Sequence, residues 1–170
     1  MNLPALTFNP TGWLAGEKLD GVHGIADSGI LRTRHGRRLP CPAWFIAGLP
    51  AGRLHGEIWA GNGRFADVAA GIQRKGGNWR GLRFMLFDAA GDGPLDERLA
   101  TLAALPLPGH VQCIPHRVIT SRADADEWEE RVFRAAGEGL VLRRPCSEYR
   151  PGHGILKIKR LHGDVNRWHG

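Results

Sequence analysis

Apolar positions along the chain recur with two periods, one of a strand and one of a helix. Short apolar runs at residues 22–27 and 30–34 read as strands, and Ser28-Gly29 between them is a hairpin signal. Residues 54–59 and 82–88 read as buried strands, the second nearly all apolar. Residues 140–144 and 155–159 read as two late strands. Strand period two puts Lys157 and Lys159 on one face and Leu156 and Ile158 on the other. Two lysines on one face require either water or an anion. Helical spacing appears three times. Residues 64–75 align Phe65, Val68, Ala69 and Ile72, and Gly76-Gly77 ends the run. Residues 94–105 begin with Pro94, align Leu95, Leu99, Leu102 and Leu105, and stop at Pro106. Residues 122–136 align Ala125, Trp128, Val132 and Ala135, with Ser121 as N-cap, Asp124 and Asp126 in the first turn and Gly137 as C-terminal cap. Twenty-four glycines and eleven prolines cut the chain into short elements. The pattern predicts an α+β fold of turn-connected sheets flanked by helices, without internal repeats.

Composition narrows the class. A length of 170 residues suits one domain with a sizeable core, and 42% hydrophobic with 24% charged residues is ordinary for a globular protein. The net charge of +6 favours a polyanionic partner, most simply nucleic acid. Cys41, Cys113 and Cys146 lie far apart and show no metal-ligand spacing, which fits free thiols in a reducing, cytoplasmic setting. The start of the chain lacks the basic and apolar regions of a signal peptide, and no stretch approaches the ~20 apolar residues of a membrane span.

The chemistry is carried by an ordered series of short motifs. Glu17-Lys18-Leu19-Asp20-Gly21 comes first, a lysine between acids closed by glycine. Thr33-Arg34-His35-Gly36, His55-Gly56-Glu57, Phe87-Asp88, Glu138-Gly139-Leu140-Val141 and Lys157-Ile158-Lys159 follow. Singly each is weak: Phe87 sits in an apolar strand, Glu138-Gly139 at an ordinary helix-to-strand junction, and Glu57 suits a solvated strand. In this order they resemble the covalent nucleotidyltransferases, among them the ATP-dependent DNA ligases. The likeness runs over about residues 13–160 and is nearest to the minimal bacterial enzymes, which carry a similar run where this chain has Pro42-Ala43-Trp44-Phe45.

The resemblance implies a ligase-type nucleotidyltransferase fold, ATP-grasp-like, with antiparallel sheets. It implies that Lys18 is the nucleophile that becomes lysyl-AMP, that Glu17 reads the adenine, and that Arg34 contacts ribose and nick phosphate. Glu57 would hold the ribose hydroxyls and, with Glu138, supply acids for Mg²⁺ or Mn²⁺. Phe87 and Val141 would sandwich the purine, and Lys157 and Lys159 would grip the α-phosphate. The chemistry agrees with those residue types: a lysine attacks phosphorus only as a free amine, and nearby cations offset charge developing on the phosphate. Oxygen ligands suit Mg²⁺.

Arg32, Arg34, Arg37 and Arg38 put four arginines in seven residues, a surface suited to the phosphates of nicked duplex DNA. Arg74, Lys75 and Arg80 extend the basic character. Two positions depart from the family: His23 stands where arginine usually follows Asp-Gly, and His55 where an acid or asparagine usually precedes Gly-Glu. Relatives normally continue into an OB-fold domain, whereas eleven residues follow Lys159. The expected organisation is a nucleotidyltransferase domain over residues 1–160 and a short tail at 161–170, with another protein as a candidate supplier of the OB-fold function. With seventeen residues before Lys18, ATP rather than NAD is the expected donor. RNA ligation, and non-catalytic gripping of nicked ends, are the alternative readings.

Overall fold

A computed structural model describes residues 9–73, 77–150, 155–159 and 167–169, with side chains as far as Lys157 in the last two segments. Among these, ten strands form two sheets of five. In chain order the elements are β1 (Leu14–Lys18), β2 (Val22–Asp27), β3 (Ile30–Thr33), α1 (Ala43–Ile46), β4 (Leu54–Trp59), α2 (Phe65–Gln73), β5 (Arg83–Ala89) and α3 (Leu95–Ala104). β6 (Val111–Cys113), β7 (His116–Val118), α4 (Arg122–Arg134), β8 (Gly139–Arg143), β9 (Ile155–Lys159) and β10 (Arg167–His169) complete the set.

One sheet runs β10-β9-β8-β1-β7 and the other β3-β2-β4-β5-β6. Every pairing is antiparallel except β5 with β6, which is parallel. That exception follows from the connection: α3 crosses over between the two strands and returns the chain in the same direction.

The outer faces are dry. Leu31, Ile58, Phe84 and Leu86 of the second sheet pack with Phe45 of α1, Val68 of α2 and Leu102 of α3. Ala15, Leu140 and Leu142 of the first sheet pack with Ala125 and Val132 of α4. Between the sheets lies a much smaller cluster of Leu19, Met85 and Ile114. The rest of the inner space is polar, and it is where the chemistry-bearing residues gather.

Local sequence explains most of these elements. Ser28 and Gly29 both take positive φ, 51° and 73°, as a two-residue hairpin turn requires. Ser121 Oγ accepts from the Asp124 amide at 3.1 Å, so α4 carries the expected N-cap. Its C-terminal cap differs from expectation. Ala136, not Gly137, takes the left-handed conformation, at φ 58°, and the Ala136 and Gly137 amides donate to the Phe133 and Val132 carbonyls. Gly137 is needed for space instead, since a Cβ there would lie 2.7 Å from Glu17 Oε1.

Other expectations are corrected. Phe65 and Ala135 are exposed, and Arg98 shares the buried face of α3 with Leu95 and Leu102. Residues 167–169 form β10 against β9 within the segment expected to be a tail, because an Arg-Trp-His triplet pairs only once β9 offers an edge. β1, β6, β7 and α1 carry no strong local signal. The Leu-Ala-Gly-Glu-Lys segment becomes a strand because it is enclosed by β7 and β8. The expected end of α2, with Arg74 and Lys75, and the side chain of Lys159 lie outside the described residues.

Candidate active site

Lys18 ends β1, and the register around it assembles the centre. Lys18 pairs with Gly139 of β8, and Gly139 pairs with Lys159 of β9. Two residues along, Gly16 pairs with Val141, and Val141 with Lys157. Paired residues share a face, so Lys18, Val141 and Lys157 lie on one face of the sheet. Glu138, just before β8, places its carboxylate on the Lys18 amine, and both side chains are mostly shielded, at 21% and 14% exposure.

The second sheet supplies the opposing wall. Glu57 on β4 pairs with His23 and with Met85. Burial pushes its carboxyl up to about 7; the Lys18 charge opposes the rise, while Glu138 and Asp20 add to it. Glu57 thus feels the charges of Lys18, Glu138 and Asp20, of which Lys18 and Glu138 are in direct contact. Gly21 closes the lysine motif for a steric reason, because a Cβ there would collide with the Ile58 carbonyl and crowd Glu57 Cγ. The glycine lets the turn after β1 lie directly on β4.

Phe87 is half-buried against Leu19, Met85 and Ile114 rather than sunk in the main core. His55 pairs with Asp88 and Gly56 with Leu86, so Phe87 is the extra residue of a bulge. A bulge breaks the alternation of faces and re-aims its side chain. The His23 ring meets Phe87 edge-on, with centroids 5.2 Å apart at 79°. Burial holds His23 down at about 4, helped by His55 and by the charges of Arg34 and Lys157. His23 thus touches Phe87 and feels the charges of Arg34 and Lys157.

Glu17 is not brought to this centre by its side chain. Neighbouring residues of a strand face opposite ways, and the Glu17 carboxylate accepts from Asn62 Nδ2 at 3.3 Å, beside the end of α4. Asn62 also donates to the Ala135 carbonyl at 3.0 Å.

Beneath Phe87 lies an ion cluster that sequence reasoning missed. Asp88 accepts from Arg98 Nε at 2.9 Å and from Arg143 Nη1 at 3.1 Å. Arg98 Nη1 donates to the Gly93 and Ser147 carbonyls, and Arg143 Nη2 to the Phe87 carbonyl. His116 accepts from Arg143 at 3.1 Å while its Nδ1 faces the Ile114 carbonyl at 2.7 Å. Burial, then the Arg143 charge, lowers His116 to about 4. Arg98 occupies an apolar-face position between Leu95 and Leu102, which was the available signal for it.

The arginine hairpin projects from the edge of the second sheet. Thr33 donates to the Arg37 carbonyl, Gly36 turns at φ 82°, and Arg32 bridges Arg38. Arg32, Arg34, Arg37 and Arg38 are all exposed.

Among the described residues, no group of three or more His, Cys, Asp or Glu is arranged to hold a metal. The chemistry of the donors nevertheless fits a hard cation. Glu57 and Glu138 present carboxylates from the two sheets, burial chiefly and the Glu138 charge to a lesser extent raise Glu57, and oxygen-rich Mg²⁺ sites take a few carboxylates with phosphate and water completing the shell. Among the described residues no helix is long and apolar enough to cross a membrane.

The two five-stranded sheets with their flanking helices have the nucleotidyltransferase fold of solved DNA ligases. The relatives agree. The chain is 32% identical over 160 residues to a DNA ligase of Haemophilus influenzae, spanning 90% of this chain and 60% of that relative. It superposes on a solved Lig E DNA ligase with a TM-score of 0.82 at 30% identity, over 91% of this chain and 64% of the other. Chlorella virus DNA ligase-adenylate shares the fold with a TM-score of 0.67 at 18% identity, over 82% and 57% of the two chains. No protein-family model matches the chain.

Proposed function

We propose that this chain is the adenylyl-transferring part of an ATP-dependent DNA ligase. The observation that carries the reading is the placement of Lys18 in register with Gly139 and Lys159, paired to Glu138 and faced by Glu57. Similarity to DNA ligases over nine-tenths of the chain supports it.

Lys18 Nζ attacks the α-phosphorus of ATP, the bond to the β-phosphate oxygen breaks, and pyrophosphate leaves. The resulting lysyl-AMP passes its adenylyl group to the 5′-phosphate at a DNA nick. The 3′-hydroxyl then attacks that phosphate, and AMP departs. Glu138 must release the amine before the first attack, since an ammonium in an ion pair has no free electron pair. Lys157, with Lys159 two residues along the same strand, offsets charge on the phosphate. Glu57 faces the ribose hydroxyls, and Phe87 and Val141 bound the purine. Glu57 and Glu138 are the residues that would hold Mg²⁺, which supplies charge neutralisation on the triphosphate oxygens. The exposed arginines of the hairpin bind the phosphates of nicked duplex DNA, and free cysteines fit a reducing, cytoplasmic setting.

Incubation with Mg²⁺ and ATP labelled at the α-phosphate tests the reading. Label is expected to survive denaturation of the wild-type chain, and Lys18→Ala is expected to remove it entirely. An unlabelled wild type at millimolar ATP would overturn the proposal. Faster sealing of nicked RNA than of nicked DNA duplexes would move the substrate class to RNA.

A further inference from the structure

His23 and His55, the two departures from the ligase pattern, are neighbours in space. His55 pairs with Ile25 and His23 with Glu57, so the two imidazoles sit diagonally on β2 and β4. Their Nε2 and Nδ1 atoms are 3.3 Å apart. The other nitrogen of His55 is hydrogen-bonded to the Tyr149 hydroxyl, and the His55 and Tyr149 rings meet edge-on at 5.5 Å. The three side chains form one hydrogen-bonded line from β2 through β4 to the segment that follows β8. They line a single cavity with Phe87, Arg98 and Ile155.

We propose that His23, His55 and Tyr149 are positioning residues that fix Phe87 and join the second sheet to the segment leading into β9, thereby setting affinity for ATP. The inference rests on the adenylyltransferase reading above. Its first support is the bulge. Phe87 is the extra residue of β5, so the sheet ladder alone does not fix where its ring points. The edge of His23 at 5.2 Å supplies a lateral wall, and His55 contacts the same ring at 6.4 Å. Its second support is connectivity. Tyr149 lies six residues before Ile155, where the strand carrying Lys157 begins. The Tyr149–His55 bond therefore ties the purine wall to the segment that follows β8. Arg98 holds the same segment independently, through the Ser147 carbonyl and by lying 5.7 Å over the Tyr149 ring. Tyr149→Phe can thus remove the hydroxyl while leaving the segment anchored.

The test is the ATP dependence of lysyl-AMP formation by the full chain under single-turnover conditions. Tyr149→Phe and His23→Ala are each expected to raise the half-saturating ATP concentration about five- to tenfold, with the maximal rate within about twofold of wild type. The double variant should be no worse than the weaker single one by more than about twofold, because both cut the same line. His23→Phe, which keeps a ring edge on Phe87 but cannot bond His55, should recover only part of the affinity. Unfolding midpoints of Tyr149→Phe and wild type should coincide, separating positioning from general stability. Unchanged half-saturation, or a loss confined to the maximal rate, overturns this inference while a labelled wild type leaves the ligase reading standing. A wild type that takes no label overturns both.

Discussion

The chain holds two arginine-rich regions with opposite surroundings. At the end of β3 and in the turn that follows it, Arg32, Arg34, Arg37 and Arg38 stand in water. Under Phe87, Arg98 and Arg143 are only 5% and 7% exposed and share the single carboxylate of Asp88. Desolvating three charges is costly, and it is tolerable only because nearly every donor has a partner: Asp88, three backbone carbonyls and His116. The difference shows that cation count does not reveal role. The same residue type stands, on one side, as an exposed charge on an edge hairpin and, on the other, as a buried bolt between β5, α3 and β8.

Breaking the bolt should have the largest effect. Asp88→Ala strands two buried guanidiniums and is expected to cost about 3–5 kcal/mol in urea unfolding, the range for removing one partner of a buried pair. A loss below about 1 kcal/mol would mean that water replaces the carboxylate and that the two regions differ less than their burial suggests.

The bolt should also be acid-labile where the hairpin is not. His116 titrates near 4 in the folded chain against an ordinary 6.5, so between these values the unfolded chain binds more protons. Stability contributed by neutral His116 is therefore complete above pH 6.5 and is lost as pH falls towards 4, by about 3 kcal/mol for a shift of that size. His116→Gln, which still offers an acceptor to Arg143, should remove that part of the pH slope. Identical slopes in variant and wild type between pH 4 and 6.5 would refute the assignment.

Neutralising the hairpin should leave folding alone and act on binding. Arg32→Gln and Arg37→Gln are each expected to lower the salt dependence of nicked-duplex binding by about one phosphate contact, with unfolding midpoints unchanged. Fluorescence anisotropy across a salt series measures this. A salt slope indifferent to both changes would remove the hairpin from the DNA-binding surface.

Much of the fold was readable in sequence because it is locally determined. The Ser28-Gly29 turn, the Ser121 cap, the Pro94 boundary and the apolar periods of β4, β5 and α3 act over a few residues. The order of the motifs also singled out Lys18, Glu57, Phe87, Glu138 and Lys157 as candidates. β1 was not readable, because Leu-Ala-Gly-Glu-Lys has little strand preference and is extended only by the neighbours that enclose it.

What the sequence by itself determined is the set of residue types and their spacing: a lysine motif, opposed acids, a lysine strand and an exposed basic turn. Only the tertiary structure decided which of them meet. Period two in β1 sends Lys18 to the cleft and Glu17 to the end of α4, a bulge re-aims Phe87, and two histidines that looked like separate departures become one hydrogen-bonded line with Tyr149. Asp88, Arg98 and Arg143, up to 55 residues apart in the chain, become one cluster for the same reason. Burial makes a charge seek its partner across space, and that choice depends on strand register rather than on distance along the chain.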